Sequence, residues 1–396
     1  MNEIKSKIKT LSSQYYNEIV EIRQHLHKYP ELSQQEKITS EYISKKLSDL
    51  NIKFKNGIAK NGIIATIEGK NPNSKIIALR ADMDALPIQE ENNCQYKSVN
   101  AGIMHACGHD AHTAMLVGAA KILNELKNCF DGTVKLFFQP SEEKFPGGAK
   151  LMIEEGALKN PNVQNVFGQH VLPTLESGKV GVKSGMYMAS TDEVYITVHG
   201  KGGHGATPEL VIDPVLIASH IIVALQQIVS RSATPSIPTT LSFGRIIADG
   251  RTNIIPDSVK IEGTFRTFDE KWRAEAHEKI KKIAKNLAEG MGGTCDVFID
   301  KGYPFLVNDN KLAEEFKILA AAYLGAENIV DLEMRMTAED FAYFSQEVPS
   351  CFYRIGVKNE IKGINANLHT SRFDIDEKSI ETGMGLMAWL AINNLK

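Results

Sequence analysis

Three apolar, β-rich runs in the first half of the chain each lead into a polar cluster, and this pattern restricts the possible folds more than any other feature. Lys75-Ile-Ile-Ala-Leu-Arg-Ala81 leads into Asp82-Met-Asp84, Thr133-Val-Lys-Leu-Phe-Phe-Gln139 into Pro140-Ser-Glu-Glu143, and Asn165-Val-Phe-Gly-Gln169 into His170. Gly62–Ile67 adds a further strand, and helical periodicity at Thr113–Leu126 and Gly148–Glu155 separates the later runs. Strand, helix, strand in this rhythm predicts an α/β fold: a mostly parallel sheet with helices on both faces. Ligands of such sheets bind beyond the carboxyl ends of the strands, so the three clusters should face one crevice. An acid after a strand also caps a following helix. That simpler reading serves Glu142-Glu143 but not all three clusters.

The remainder of the chain divides by texture. Ile4, Ile8, Leu11, Tyr15, Ile19 and Ile22 recur at helical spacing, and this helix should stop before Pro30, which pushes its predecessor out of the α region. A second helix is expected from Glu36 to about Leu50. After Gly185, strands with polar alternation at Glu193–Val198, Pro238–Ile247, Val259–Phe268 and Thr294–Ile299 enclose helices at Pro214–Ser230 and Glu270–Glu289. The order β-α-β-β-α-β is that of a ferredoxin-like α+β unit. Leu312–Tyr323, Cys351–Ile355 and Lys378–Asn394 then read as helix, strand and helix. The expected organisation is a first domain in two parts, 1–185 and 299–396, with a smaller domain, 186–298, inserted between them.

A length of 396 residues suits two domains, and 43% hydrophobic with 23% charged residues is ordinary globular composition. A formal net charge of −3 gives no electrostatic reason to expect nucleic acid or an anionic membrane as partner. No run approaches the roughly 18 uninterrupted apolar residues of a membrane span, and the charged N-terminus does not resemble a secretory leader. Five cysteines at irregular spacing form no disulfide framework. Cys94, Cys129, Cys295 and Cys351 read as reduced residues, and a cytoplasmic location is expected.

The segment His105-Ala-Cys-Gly-His-Asp-Ala-His112 is the strongest chemical signal. It holds three histidines of the chain's eleven and one cysteine within eight residues. Cys107 and His109, two apart, should leave an extended loop on the same side, and thiolate with imidazole suits a borderline-soft divalent metal. A lone His or Cys is more often a packed core residue, but the density here argues otherwise. His105 and His112 suit supporting roles. There is no His-Glu-x-x-His and no paired Cys-x-x-Cys, so a composite site drawn from several strand ends is expected, with room for one metal or two. Glu142 and Glu143 offer adjacent carboxylates, one to bind metal and one to take a proton from water. Gly200-Lys-Gly-Gly-His-Gly205 satisfies the dinucleotide-binding spacing, yet Pro208 delays the next helix to about Asp213, so that reading is rejected. A glycine-rich loop around an exposed His204 fits better as a substrate contact.

Together these motifs resemble a known family. Arg80-Ala-Asp-Met-Asp-Ala-Leu-Pro87, Met104-His-Ala-Cys-Gly-His-Asp-Ala-His112, Gln139-Pro-Ser-Glu-Glu143, Gly202-Gly-His204, Asn253-Ile-Ile-Pro256, Gly263-Thr-Phe-Arg-Thr-Phe268 and Glu339-Asp-Phe341 occur in order. The set looks like the dinuclear metallo-aminoacylase and carboxypeptidase family. Within it, the branch is that of hippurate hydrolase, indole-acetyl-amino-acid hydrolase and N-acetyl-diaminopimelate deacetylase. The resemblance implies a catalytic domain with an inserted lid through which the chain forms a homodimer or higher homo-oligomer. It implies two divalent metal ions per subunit (Mn, Zn, Ni or Co) held by Cys107, His109, Glu143, His170 and His369. It makes Glu142 the general base and Asp84 an acid that orients a ligand. His204 would reach the partner subunit's site and stabilise an oxyanion, and Asn253 and Arg266 would hold the substrate carboxylate, a task suited to the planar guanidinium fork. Asp82 stands where other branches carry a ligand histidine, and Cys107 where they carry a bridging aspartate. The activity implied is hydrolysis of a small N-acyl amino acid (N-acetyl, N-benzoyl or similar). A dipeptidase or aminopeptidase acting on short peptides is the main rival, followed by a non-catalytic metal-binding dimer.

Overall fold

The computed structural model describes residues 2–395, which form two compact units. One comprises the chain through Tyr187, Val307–Met334 and everything from Asp340; the other comprises Met188–Leu306 with Arg335–Glu339.

The first unit is built on an eight-stranded sheet. Its centre is parallel: Thr133–Gln139, Ile76–Asp82, Asn165–Glu176 and Ser350–Lys358 lie side by side in that order. Antiparallel pairs flank this centre, with Lys53–Ile58 and Gly62–Glu68 on one side and Val180–Val182 on the other, where Ile329–Asp331 adds a parallel edge strand. Every residue of Ile76–Asp82 and Thr133–Gln139 is buried, as expected of parallel strands covered on both faces. Leu136 and Phe138 join the core beneath the helices Asn2–Lys28, His109–Glu125 and Lys378–Asn394. Phe137, pointing the other way, stacks on Phe344 of the helix Ala342–Glu347. The first helix buries Ile8, Tyr15, Ile19, Ile22 and Leu26, and stops two residues before Pro30. The strand Lys53–Ile58 has an exposed, lysine-rich pattern and lies at the sheet edge, so it carries no apolar signal.

In the second unit, Thr239–Ile247, Ser258–Thr267, Asp192–His199 and Thr294–Lys301 form an antiparallel sheet in that order. Val194, Ile196 and Val198 alternate inward and meet Ile217, Ile221 and Leu225 of one helix and Ala276, Ile280 and Ala284 of another. Both helices have built starts: Asp213 accepts from Val215 and Leu216 N–H ahead of Pro214, and Asp269 accepts from Trp272 N–H. The helix Pro214–Ser232 is long and apolar enough to cross a membrane by length and composition. Here it lays one face on the unit's own core.

Candidate metal centre

Cys107 and His109 are adjacent in space because of the glycine between them. Gly108 has φ +83°, and a Cβ there would meet Val171 Cγ2 at 2.6 Å, so both the turn and the close approach require glycine. The expected extended loop is not what forms. The chain turns through a left-handed Gly108 and starts the helix His109–Glu125 directly.

Hydrogen bonds to the main chain fix which nitrogen of each imidazole is presented. His109 Nδ1 lies 2.9 Å from the Asp84 carbonyl and His170 Nδ1 2.8 Å from the Val171 carbonyl, so each Nδ1–H donates and each Nε2 keeps its lone pair. His170 Nε2 and His369 Nε2 each lie 3.4 Å from Cys107 Sγ, and His369 Nε2 is 3.2 Å from Glu143 Oε1. His369 occupies left-handed backbone, φ +60°, at the tip of its loop. Two donor sets emerge, each with ligand atoms within 4.8 Å of one another: Cys107 with His109 and His170, and Cys107 with Glu143 and His369. Cys107 belongs to both. A third set joins His109 with Glu142 and Glu143.

The donors fit divalent metal. His109 Nε2 and Glu143 Oε1 are buried without a hydrogen-bond partner among the described residues, although Glu143 Oε1 lies near His369 in poor hydrogen-bond geometry. Sulfur, imidazole nitrogen and carboxylate oxygen converge here, buried on the His109 and His170 side and open to solvent at His369, a donor mix that suits zinc, nickel or manganese. The electrostatics of the protein groups by themselves point both ways. Burial, with Arg354 and His112 nearby, holds His170 well below the usual histidine range, so it is neutral and able to ligate. Burial and the Glu143 charge raise the Cys107 thiol. The close Cys107 sulfur and Glu143 carboxylate push His369 up to about 10. Burial alone would keep His109 neutral, but Asp82 and Cys107 outweigh it and raise its pKa.

Asp82 and His112 form a further set with His109, but both are engaged by other partners. His112 Nδ1 donates to Asp82 Oδ1 (2.6 Å) and its Nε2 accepts the Val171 N–H (2.8 Å), so both nitrogens are used. Asp82 is likewise filled, its other oxygen taking Arg80 Nη1 at 2.6 Å. Its carboxyl stays well below the usual range although burial opposes this, because His109, His112 and Arg80 surround it. His105 points toward His27, ring centroids 6.4 Å apart, and burial lowers it to about 4. It belongs to none of the donor sets.

Asp84 holds the paired glutamates. Its Oδ1 accepts Glu142 N–H (3.0 Å), and its Oδ2 accepts Glu143 N–H (2.9 Å) and Ser33 Oγ–H (2.6 Å). Glu142 is buried, with Oε1 3.4 Å from Asp340 N. Arg80 spans to Gln139, Asp82 and Asp340, while Arg23 joins Asp110, beside His109, to Asp374, beyond His369. Sequence reasoning gave neither arginine a role, although Arg80 stands inside one of the motifs. His170 also differs from expectation, since the strand continues through it to Glu176. The ladder to Ile76–Asp82 ends at Gly168, however, so His170 lies just past the paired edge on that side.

His204, Asn253 and Arg266 lie in the second unit. The short strand Gly203–His204 pairs with Ile254–Ile255, and Gly205 N–H donates to the Asn253 carbonyl, which brings His204 and Asn253 together. His204 is exposed, with Nδ1 accepting the Ala206 N–H at 3.0 Å. Arg266 stands apart on the four-stranded sheet, donating to the Met336 carbonyl and lining a concavity of about 440 Å³ with Thr191, Tyr195 and Ser242. Only a 3-10 turn, Pro208–Leu210, separates the glycine-rich loop from the α-helix that begins at Pro214, in keeping with the rejected dinucleotide reading.

Metal-ligand donors at the carboxyl end of a parallel sheet, with a carboxylate beside them, define a metallohydrolase type of site. Residues 78–393 match the model of peptidase family M20/M25/M40, and the chain belongs to that family and is a hydrolase. An N-acyl-L-amino acid amidohydrolase of Geobacillus stearothermophilus is 40% identical, covering 77% of this chain and 81% of its own. The IAA-amino acid hydrolase ILR1-like 4 of Arabidopsis thaliana is 38% identical, covering 100% and 90%. Among solved structures, the Bacillus subtilis YXEP protein, described as a dinuclear metal-binding peptidase of family M20, superposes with a TM-score of 0.83. It is 34% identical, covering 97% of this chain and 99% of its own.

Proposed function

We propose that the protein hydrolyses the amide bond of N-acyl amino acids, releasing a carboxylate and a free amino acid, with Glu142 as general base. The observation that carries this reading is Cys107 shared between two donor sets, with Glu142 buried beside the second carboxylate. Cys107, His109 and His170 would hold one divalent ion and Cys107, Glu143 and His369 another, drawn from Mn, Zn, Ni or Co. When bound, the pair supplies Lewis acidity toward the acyl carbonyl and toward water.

The chain's own residues do the rest. Glu142 takes the proton of the attacking water and returns it to the departing amine. Asp84 fixes the main chain of Glu142 and Glu143, so the base and its neighbour keep one orientation. His204, contributed by a second subunit of a homodimer formed through the inserted unit, donates to the oxyanion. Asn253 and Arg266 hold the substrate carboxylate, and closure of the inserted unit as a lid excludes water.

Glu142→Gln tests the reading. It should keep its metal while kcat falls by about 1,000-fold or more, and retained turnover would remove Glu142 from this role. N-acetyl, N-benzoyl and N-succinyl amino acids should be cleaved in preference to free dipeptides. The reverse preference would favour a peptidase.

A further inference from the structure

The turn that presents Glu142 and Glu143 is fastened by a residue outside the donor sets. Ser141, which precedes them, sits at φ +57°, in the left-handed region that side chains with a Cβ rarely adopt. Its N–H and hydroxyl both reach Glu36 Oε1, at 2.8 and 3.2 Å. Gln34 N–H bridges Glu36 Oε1 (3.0 Å) and Ser141 Oγ (2.9 Å), and Asn61 Nδ2 donates to Glu36 Oε2 at 2.8 Å. On the far side of the turn, the Ser141 carbonyl accepts Gly148 N–H.

Glu36 is fully buried, and no lysine or arginine pairs with it among the described residues. A carboxylate in that position is costly unless several donors satisfy it. Packing alone would be served by an apolar side chain. What the carboxylate adds is a grip on Ser141. Asp84 continues that grip, since its two oxygens take the N–H groups of Glu142 and Glu143. Two buried carboxylates thus catch three successive main-chain N–H groups, and the segment 33–36 supplies part of both contacts through Ser33 and Glu36.

We propose that Glu36 is a positioning residue for amide hydrolysis: it holds Ser141 left-handed so that Glu142 and Glu143 project together into the donor cluster. The inference rests on the reading of Glu142 as base and Glu143 as ligand. Its reach comes from the chain segment between the first two helices, far from the ligand motifs.

Glu36→Ala removes the acceptor and leaves room for water to satisfy the released donors. In that variant kcat should fall about 100-fold with KM within about threefold, as expected for a base displaced by an ångström or less. Zn²⁺ titrated into metal-free protein should bind its weaker step about tenfold less tightly, the size of effect usual for groups that orient a ligand. Glu36→Gln keeps Oε1, and the Asn61 amide can turn over to meet Nε2, so it should stay within about fivefold of the parent on both measures. Adding Ser141→Gly to Glu36→Ala should recover about tenfold in kcat, because glycine takes the left-handed conformation without steric cost.

A purely structural Glu36 gives a different pattern. Tm would drop while kcat per folded molecule and zinc affinity stayed at parental values, or glycine would restore nothing, and either result overturns the proposal. If Glu36→Ala does not fold, Asn61→Ala decides: a severalfold loss of kcat at unchanged KM supports the proposal, and parental kcat overturns it. Turnover retained by Glu142→Gln would instead defeat the underlying assignment of the base. Glu36 would then stand or fall on the zinc titration alone.

Discussion

In the first unit, His109 and His170 each give Nδ1 to a main-chain carbonyl and lie wholly inside the protein. In the second, His204 is exposed and accepts a single main-chain N–H, and Arg266 is tied by one bond to a carbonyl. The difference follows from what each set must do. Ligands for a cation have to be oriented before it arrives, since an imidazole turned the wrong way offers a proton rather than a lone pair. Groups that meet a substrate gain from reach and can be ordered by the contact itself. Bracing by main-chain acceptors is thus a property of the buried ligands His109 and His170; the ligand His369 is exposed like His204, and Arg266 is half-buried.

The second unit shows that burial, rather than location, sets this contrast. Asp192 is buried there among Arg273 (Nε 2.9 Å) and His277 (2.7 Å), as tightly braced as any residue of the donor cluster. Burial works against its ionisation, but the hydrogen bonds from His277 and Arg273 prevail and hold its carboxyl below the usual range.

Four experiments set the two regions against each other. The largest effect should come from chelation: dialysis against EDTA abolishes turnover and lowers the unfolding temperature, and turnover that survived metal removal would break the functional half of the contrast. Next, Asp192→Asn should destabilise the protein by roughly 2 kcal/mol, since it removes the buried carboxylate that Arg273 and His277 share and leaves Arg273 to the half-buried Glu270. Urea unfolding of the parent should show the same contribution fading with pH. A depressed folded-state pKa means stability that is present above the ordinary carboxylate pKa and lost as pH falls through the depressed value. An Asp192→Asn protein as stable as the parent at pH 7 would contradict this. Third, His204→Ala should lose about 100-fold in kcat, roughly 2.7 kcal/mol, with metal content and unfolding temperature unchanged. A lower metal content would mean that the exposed histidine is not as separate as its setting implies. Last, Arg266→Lys should raise KM for an N-acyl amino acid about tenfold at near-constant kcat, because the planar fork is lost while the charge remains. An unchanged KM would exclude Arg266 from carboxylate binding.

The parallel centre of the sheet was legible because its strands are continuous apolar runs, and the second unit because its strands alternate. Lys53–Ile58 was not, since an exposed edge strand shares its composition with a loop. Within the site, Cys107 and His109 announced themselves by density. His369 did not: it sits in left-handed backbone on a loop with no periodicity, and only the family resemblance singled it out. The reading of an extended loop around Cys107 and His109 missed the helix start because the left-handed turn at Gly108 depends on the close approach of Val171, which lies 63 residues from Gly108 in the chain and leaves no local pattern. Glu36 read as nothing more than a helix boundary. Its partners are a backbone N–H and a hydroxyl about a hundred residues away, and no local pattern encodes such a meeting.

The side chains linking Val171 to His112, Asp82, Arg80, Gln139 and Asp340 also act before any chemistry does. They tie three neighbouring parallel strands at fixed residues, one of them through a helix. In a sheet whose central strands are apolar on both faces, hydrophobicity alone discriminates weakly between one alignment and its neighbours. A slip by a single residue would turn Asp82 to the opposite face and part it from both His112 and Arg80. The polar links thus favour one alignment of the three strands, and none of them uses a side chain of the two Cys107 donor sets.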